Sequence, residues 1–249
     1  MFIENSQRGR AGEGGGRRGR GRPPGPTPQG EAARRRLFRI AVRQIARRGY
    51  EAATLREIAR QAGVSVGLLY RYFPSKRAVV LALYEELSAE YATRAQAMAA
   101  GSWRERFVFA LRTSLETLAP QRDTLAALVP VLVGDRDDGL FAPSTAFSRR
   151  RVQQVFLDAV SGAGDAPAAP VSGPLGRLLY LAHLVILLWW LLDRSPGQRA
   201  TSGLLSLLER ALPLLTVALR VPGAAALLTA ADALVREGLF GEDTKPAPA

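Results

Sequence analysis

The side chains that most often carry catalysis or bind metals are scarce in this chain of 249 residues, which has a single histidine, His183, and no cysteine. Without cysteine there can be no disulfide, thiolate zinc site, iron–sulfur cluster or cysteine nucleophile. One histidine also argues against a multi-histidine metal centre and most histidine-based proton relays. The one acidic cluster of the sequence, Asp135, Asp137 and Asp138, lies in a glycine-flanked stretch that favours a solvated loop. We therefore expect no enzyme and no metal or cofactor site.

Positive charge is concentrated at one end of the sequence. Lysine and arginine number 34 against 22 aspartates and glutamates, which gives a formal net charge of +12. Residues 1–30 carry about +4, residues 31–90 about +6, and the rest about +2. The hydrophobic content of 47% is ample for a core. The chain thus combines a basic N-terminal part with a nearly neutral, apolar C-terminal part, and the basic part indicates a polyanionic partner.

The first thirty residues are rich in glycine, arginine and proline, and we predict that residues 1–30 and 241–249 are disordered tails. Arg20-Gly21-Arg22-Pro23 is typical of an AT-hook, whose arginines enter a narrow minor groove. The interpretation that we favour is a flexible arm that attracts phosphates without reading the DNA sequence. The third alternative is that translation begins further downstream. Arg20 and Arg22 are the candidate minor-groove residues. The segment lacks the apolar stretch of a secretory signal, so we expect a cytoplasmic protein.

Apolar spacing and capping residues predict three helices between residues 31 and 75. The first begins near Glu31, carries an apolar face and ends at Gly49, which suits a left-handed residue after a helix. The second opens at Thr54, which forms a T-x-x-E capping box with Glu57.

A tight glycine turn joins the second of these helices to the third. Gly63 can adopt a positive φ without a Cβ penalty, and Ala59 allows the helices to approach closely. Ser65 can cap the third helix, and Pro74 stops it. This is the pattern of a helix-turn-helix, in which the residues that open the third helix face base edges in the major groove. A helical hairpin that touches no nucleic acid is the alternative, and the basic surroundings argue against it.

Residues 31–87 resemble the TetR/AcrR-type transcriptional regulators, most densely in TLREIARQAGVSVGLLYRYFPSKRAVVLAL at 54–83. The resemblance implies a homodimer of all-helical subunits. In each, an N-terminal DNA-binding domain, here residues 31–75, precedes a larger effector-binding and dimerisation domain, here residues 76–240. It also implies a repressor that releases a palindromic operator in duplex DNA when a small apolar effector binds. An activator or a ligand-independent regulator is the alternative.

The resemblance implies roles for individual residues in DNA binding. Thr54 and Arg56 would meet the backbone or a base edge, and Lys76 would contact a phosphate at the start of the fourth helix, where free N–H groups assist. Leu68 stands where the family more often has threonine or serine, so Arg56 and Arg71 become stronger candidates for polar contacts. The full predicted set is Thr54, Arg56, Ser65, Val66, Gly67, Leu68, Tyr70, Arg71, Tyr72 and Lys76.

The remaining sequence predicts helices and no strands, so the expected fold class is all-α. The fourth helix should run from Ser75 to about Ala100, and six more are expected at 102–119, 121–133, 144–162, 174–193, 201–219 and 223–238. The apolar run 178–192 is shorter than the roughly 20 residues of a membrane span, so we expect a buried helix and no membrane partner. A membrane-surface protein is the less favoured alternative. The resemblance implies a four-helix dimer bundle, for which 174–193 and 201–219 are the candidates.

Two aromatic stripes could line a cavity for a hydrophobic effector. One stripe lies at three- and four-residue spacing in the predicted helix 174–193, and the other lies in the fifth helix. An apolar cavity with a few polar groups is what a small-molecule site requires. Core packing is the reading that we favour for both stripes, including the histidine. The candidate lining residues are Trp103, Phe107, Leu111, Tyr180, His183, Leu187 and Trp190.

Overall fold

The computed structural model describes residues 27–134 and 139–242. Within these ranges the chain forms eleven α-helices, three short 3₁₀ turns and no strand, which confirms the all-α prediction. The helices are α1 Pro28–Arg48, α2 Leu55–Gln61, α3 Val66–Tyr72, α4 Lys76–Ala95, α5 Trp103–Leu118, α6 Arg122–Ala127, α7 Val129–Gly134, α8 Ala146–Ser161, α9 Ala169–Leu192, α10 Arg199–Ala218 and α11 Ala224–Phe240.

Hydroxyl caps set the starts of the first four helices. The side chains of Thr27, Thr54, Ser65 and Ser75 each accept the backbone N–H of the residue three positions on, at 3.1–3.3 Å. Each such cap contributes about 1 kcal/mol and fixes where its helix begins. Because Thr27 is a cap, α1 begins at Pro28 rather than near residue 31 as predicted.

Proline explains two differences between the predicted and the observed helices. The helix predicted at 121–133 is divided into α6 and α7 because Pro130 fits the first turn of a new helix better than the middle of one. Conversely, Pro174 lies buried inside α9, which starts at Ala169, five residues earlier than predicted. One lost backbone hydrogen bond near the start of a long, well-packed helix is tolerated there. The fourth helix ends at Ala95 rather than near Ala100.

The first three helices share their core with the rest of the molecule. Their buried side chains belong to a cluster that also contains Leu115 of α5, Leu125 of α6, Leu128 and the α9 residues Trp190 and Leu191. Helix α6 packs against both α1 and α9. The helix-turn-helix is therefore in continuous apolar contact with α6 and with the end of α9.

A second core cluster holds α5, α8 and α9 together around Trp103, Phe107 and Phe156. Helices α8 and α9 approach closely at Gly176, where an added β-carbon would lie 3.0 Å from the Leu157 Cα. Helix α9 is, in the described part of the chain, the one helix long and apolar enough to cross a membrane, and 44% of its most apolar window is buried. Because α9 packs against α8 and α11, we interpret it as a core helix, as predicted, rather than a membrane span.

Candidate DNA-binding surface and ligand cavity

The turn between α2 and α3 is held by backbone hydrogen bonds and by α1. Gly63 has a φ of +63°, which a residue with a β-carbon adopts only with strain. The N–H of Val64 donates to the carbonyl of Ala59 at 3.0 Å. The guanidinium of Arg36 in α1 donates to the carbonyl of Ala62 at 3.2 Å. The turn predicted from Gly63 and Ala59 is thus formed, and α1 fixes the angle of the helix pair.

Helix α3 presents one face to the core and the other to solvent. Leu69 is completely buried and anchors the helix. Gly67 and Arg71 are exposed, and the Tyr70 side chain is 47% exposed. Val66 and Leu68 are partly buried at the margin between the two faces. The outer face therefore offers a smooth, narrow surface with polar groups at its C-terminal end.

The polar residues that open α2 are tied into a local network. The Thr54 hydroxyl caps α2 and also lies 3.1 Å from the carboxylate of Glu57. Arg48 at the end of α1 pairs with the same carboxylate. Hydrogen bonds from Arg48 and Thr54 lower the pKa of Glu57, so this carboxylate stays charged. Arg56 lies beside this network and its side chain is exposed.

Lys76 is anchored to the turn between α1 and α2. Its Nζ donates to the carbonyl oxygens of Tyr50, at 2.7 Å, and Glu51, at 3.2 Å, and lies 4.5 Å from the centre of the Tyr50 ring. An ammonium group has three donors, so one remains for a further acceptor. Tyr72, at the end of α3, is partly buried, and a β-carbon built on Gly30 would lie 3.6 Å from its hydroxyl. The end of α3 therefore lies beside the start of α1.

A cavity of about 110 Å³ lies between α4, α5, α6, α7, α8 and α9. Half of its eighteen lining residues are aliphatic, and three more are tyrosines. A few polar side chains interrupt this surface, among them Ser114, Arg149 and His183. The aliphatic side chains are Leu87, Leu118, Leu125, Leu132, Leu140, Val152, Leu184, Leu187 and Leu191. Such a lining suits an apolar molecule that carries few polar groups.

His183 lies on this wall among aromatic rings. Its Nε2 is 2.8 Å from the Ser114 hydroxyl oxygen, and its ring is parallel to that of Tyr91 at 6.4 Å and tilted against Phe156 at 4.7 Å. Burial lowers the pKa of His183 to about 3, so the imidazole is neutral near pH 7. Burial likewise raises the pKa of Tyr91, whose hydroxyl donates to the Ala110 carbonyl at 3.1 Å.

Arg149 places a cation on the cavity wall. Its Nη1 donates to the carbonyl oxygens of Leu140 and Ala142, at 3.1 and 3.2 Å, and so holds the chain before α8. The guanidinium also lies 5.5 Å from the centre of the Phe240 ring at the end of α11. Burial lowers the pKa of Arg149. Helix α11 thus contacts a residue of the cavity wall.

The structure brings together only part of the predicted ligand site. Tyr180, His183 and Leu187 line the cavity, whereas Trp190 does not. Leu191 still lines the cavity, whereas the side chain of Trp190 beside it is part of the first core cluster. There, the Trp190 indole donates to the Gln198 side chain at 2.7 Å.

The stripe of the fifth helix packs in the core, which is the interpretation favoured from the sequence, and does not line the cavity. Trp103, Phe107 and Leu111 are at most 1% exposed and belong to the second core cluster, because only the C-terminal half of α5 borders the cavity. Sequence reasoning missed Ser114, although it interrupts the apolar stripe of α5 and could have been noticed. Nothing in the sequence singled out Arg149. Arg20, Arg22 and the aspartates at 135, 137 and 138 lie outside the described residues.

Helices α1 to α3 form a helix-turn-helix, and the other described helices follow it in the chain. Residues 37–83 match the family described as "Bacterial regulatory proteins, tetR family". The transcriptional repressor KstR of Mycolicibacterium smegmatis is 42% identical over 86 residues, which cover 32% of this chain and only 41% of that repressor. Relatives of this kind are named as regulators, not as enzymes.

Solved structures share the fold over most of the chain. A TetR-family regulator from Streptomyces coelicolor superposes with a TM-score of 0.55 and 23% identity, over 81% of this chain and 90% of that one. AibR, solved in complex with isovaleryl coenzyme A and operator DNA, gives a TM-score of 0.50 and 18% identity, over 70% of this chain and 97% of that one. At these identities the likeness establishes the fold alone.

Proposed function

We propose that this protein is a cytoplasmic transcriptional repressor that binds a palindromic operator in duplex DNA as a homodimer and releases it when a small apolar effector enters the cavity. The observation that carries the proposal is the outer face of α3. Leu69 anchors this helix, while Gly67, Tyr70 and Arg71 lie exposed beside a turn fixed by Gly63. A helix so presented can enter the major groove.

The charge of the N-terminal helices supports a nucleic acid partner. Helices α1, α2 and α3 all carry exposed arginines, and Lys76 keeps one donor for a phosphate. Arg56 and Arg71 are exposed on the two helices of the motif. The named repressor relatives and the operator-bound AibR support DNA over other polyanions.

The late helices support a dimer. Helix α10 buries only Thr201 and Leu212, although it is broadly apolar. Its exposed side chains include Leu207 and Leu214, and α9 exposes Trp189. A monomer rarely leaves such a surface uncovered. We propose that the second subunit covers it, with α9 and α10 as the main contacts.

Helix α6 supports a route from the cavity to the DNA-binding helices. Leu125 lines the cavity and is also part of the core cluster that contains the buried face of α1. A ligand that displaces Leu125 therefore acts on side chains shared with the helix-turn-helix. The binding of isovaleryl coenzyme A by AibR supports a small-molecule effector for this chain as well.

Selection of bound duplexes from a random pool tests the DNA-binding proposal. We expect a palindrome, since a two-fold dimer reads two equivalent half-sites. Leu68→Thr should change the preferred base at the positions that α3 contacts, by about 1–3 kcal/mol. Arg220→Ala, an exposed position after α10, serves as the matched control and should select the wild-type palindrome. Absence of an enriched sequence, together with binding to liposomes, would favour the membrane-surface alternative instead.

A further inference from the structure

The cavity wall contains a buried polar atom that the protein itself does not satisfy. In the ranges that the structure describes, Nδ1 of His183 is buried and has no hydrogen-bond partner. The side chain is only 2% exposed, so bulk water does not replace that partner. Buried polar groups are nearly always hydrogen-bonded, so an unpaired one in a residue that lines a cavity calls for a partner, either a bound molecule or an ordered water.

The neighbours of His183 determine which proton its ring carries. The Ser114 hydroxyl has one proton to donate, and the acceptor within reach is His183 Nε2 at 2.8 Å. The usual alternative for a helical serine is the carbonyl one turn earlier, that of Ala110. That oxygen already accepts the helical N–H of Ser114 and the hydroxyl of Tyr91. This arrangement favours donation from Ser114 to Nε2, which leaves the single proton of the neutral imidazole on Nδ1 as a donor.

We propose that the effector is an uncharged aliphatic molecule with one carbonyl group, whose oxygen accepts the Nδ1–H of His183. This inference rests on the proposed function, because it names the ligand class of the same cavity. The leucines of the wall, such as Leu87, Leu118 and Leu187, accommodate the aliphatic body. A carbonyl oxygen fits because donation by Ser114 to Nε2 leaves the Nδ1–H of His183 free to donate a hydrogen bond.

A carboxylate fits this position less well than a carbonyl. The imidazole is neutral because burial lowers the pKa of His183 to about 3, so it offers a hydrogen bond but no charge. Arg149 uses only Nη1 to hold the Leu140 and Ala142 carbonyls, and its other donors suit a carboxylate, so octanoate is the decisive competitor in the binding test. Transfer of an anion into an aliphatic cavity costs much more than transfer of a ketone.

The proton on Nδ1 can be tested directly, because His183 is the only histidine of the chain. Full-length protein labelled with ¹⁵N-histidine, with any affinity tag removed, gives one pair of ring-nitrogen signals. We expect the signals of the Nδ1–H tautomer at pH 7, and a downfield shift of the Nδ1 proton when 2-octanone is added. An Nε2–H tautomer, or no response at Nδ1 to the bound ketone, would overturn the proposal.

Binding of four matched compounds tests the ligand class through tryptophan fluorescence. We expect 2-octanone to bind about tenfold more tightly than octane, and more tightly than 2-octanol or octanoate. His183→Phe keeps an aromatic ring and should bring the ketone to the affinity of octane while leaving octane within about twofold. Ser114→Ala releases Nε2 and should reduce the preference of ketone over alcohol, and it provides the test if His183→Phe does not fold.

The outcomes separate this inference from the proposed function. Equal binding of all four compounds, or tightest binding of octanoate, would overturn the carbonyl but leave an apolar effector in place. If none of the four binds while the operator does, the ligand-responsive part of the proposed function fails, and the inference fails with it.

Discussion

The guanidinium of Arg122 in α6 donates to the carbonyl oxygen of Trp190 in α9 at 2.8 Å and lies 5.5 Å from the centre of the Trp190 ring. The Nη2 atom of Arg122 that makes this hydrogen bond also donates to the Asp193 carbonyl, again at 2.8 Å. A cation at the C-terminus of α9 satisfies carbonyls that the helix leaves unpaired and is favoured by the helix dipole. The contact joins the short helix beside the cavity to the end of the longest helix in the core.

Arg122→Gln should therefore weaken both stability and coupling. Loss of charged hydrogen bonds to the end of α9 should lower the free energy of unfolding by about 2 kcal/mol, measured by urea denaturation. It should also reduce the release of operator at saturating effector, because α6 is no longer held to α9. Arg220→Ala is the control and should change neither. Unaltered effector response in Arg122→Gln would contradict the proposed route through α6.

Replacement of Lys76 distinguishes a phosphate contact from a purely internal one. Lys76→Ala should lower the slope of log binding constant against log salt by about one, because one fewer phosphate is neutralised. It should also lower the melting temperature, because Nζ holds the carbonyls of Tyr50 and Glu51. Lys76→Arg keeps the charge and should keep the salt slope. Lower stability with an unchanged slope would show that Lys76 acts only within the protein.

Gly67 provides a test of close approach between α3 and DNA. An added β-carbon at Gly67 would meet nothing within 4 Å, so the fold itself does not require glycine there. Gly67→Ala should leave the free energy of unfolding equal or higher by up to about 1 kcal/mol. It should nevertheless weaken operator binding by about tenfold, because the added methyl group keeps the backbone of α3 away from the groove. Gly238→Ala in α11, which is equally open, is the matched control. Full operator affinity in Gly67→Ala would place this turn of α3 away from the DNA.

The dimer proposal predicts the effect of charge on the exposed face of α10. Leu207 and Leu214 are 62% and 71% exposed in one subunit. Leu207→Glu with Leu214→Glu should give monomers in sedimentation velocity, because each leucine that a partner covers contributes about 1.5–3 kcal/mol. Val133→Glu, at an apolar position 68% exposed on α7, should remain dimeric. Dimers in the double variant would assign the interface to another face.

His183 should make stability depend on pH. Burial lowers its pKa from 6.5 to about 3, so the folded state binds fewer protons than the unfolded state between these values. Stability is then complete above pH 6.5 and falls as the pH decreases below it. Between pH 7 and pH 5 we expect His183 to account for a loss of about 2 kcal/mol in urea denaturation. His183→Phe has no titrating ring and should not show this decrease in the free energy of unfolding. An equal decrease in both proteins would show that His183 is not buried as a neutral ring.

Local signals allowed the helix-turn-helix to be predicted in detail. Thr54, Ser65 and Gly63 act within a few residues of their own positions, through caps and a positive φ. The capping box of Ser102 and Glu105 is equally local and was overlooked. The pairing of Ser114 with His183 could not be predicted, since the two are 69 positions apart and meet only through the packing of α5 on α9.

Helix α1 also determines where residues 1–26 are attached. Thr27 caps this helix, and Gly30 lies beside the hydroxyl of Tyr72 at the end of α3. The chain before Thr27 therefore joins the described fold beside α3, so under the proposed function its basic residues are brought to any duplex that α3 binds. A weak attraction of this tail for phosphates or for a minor groove would in this way count toward the affinity of the whole complex, and twice over in a dimer.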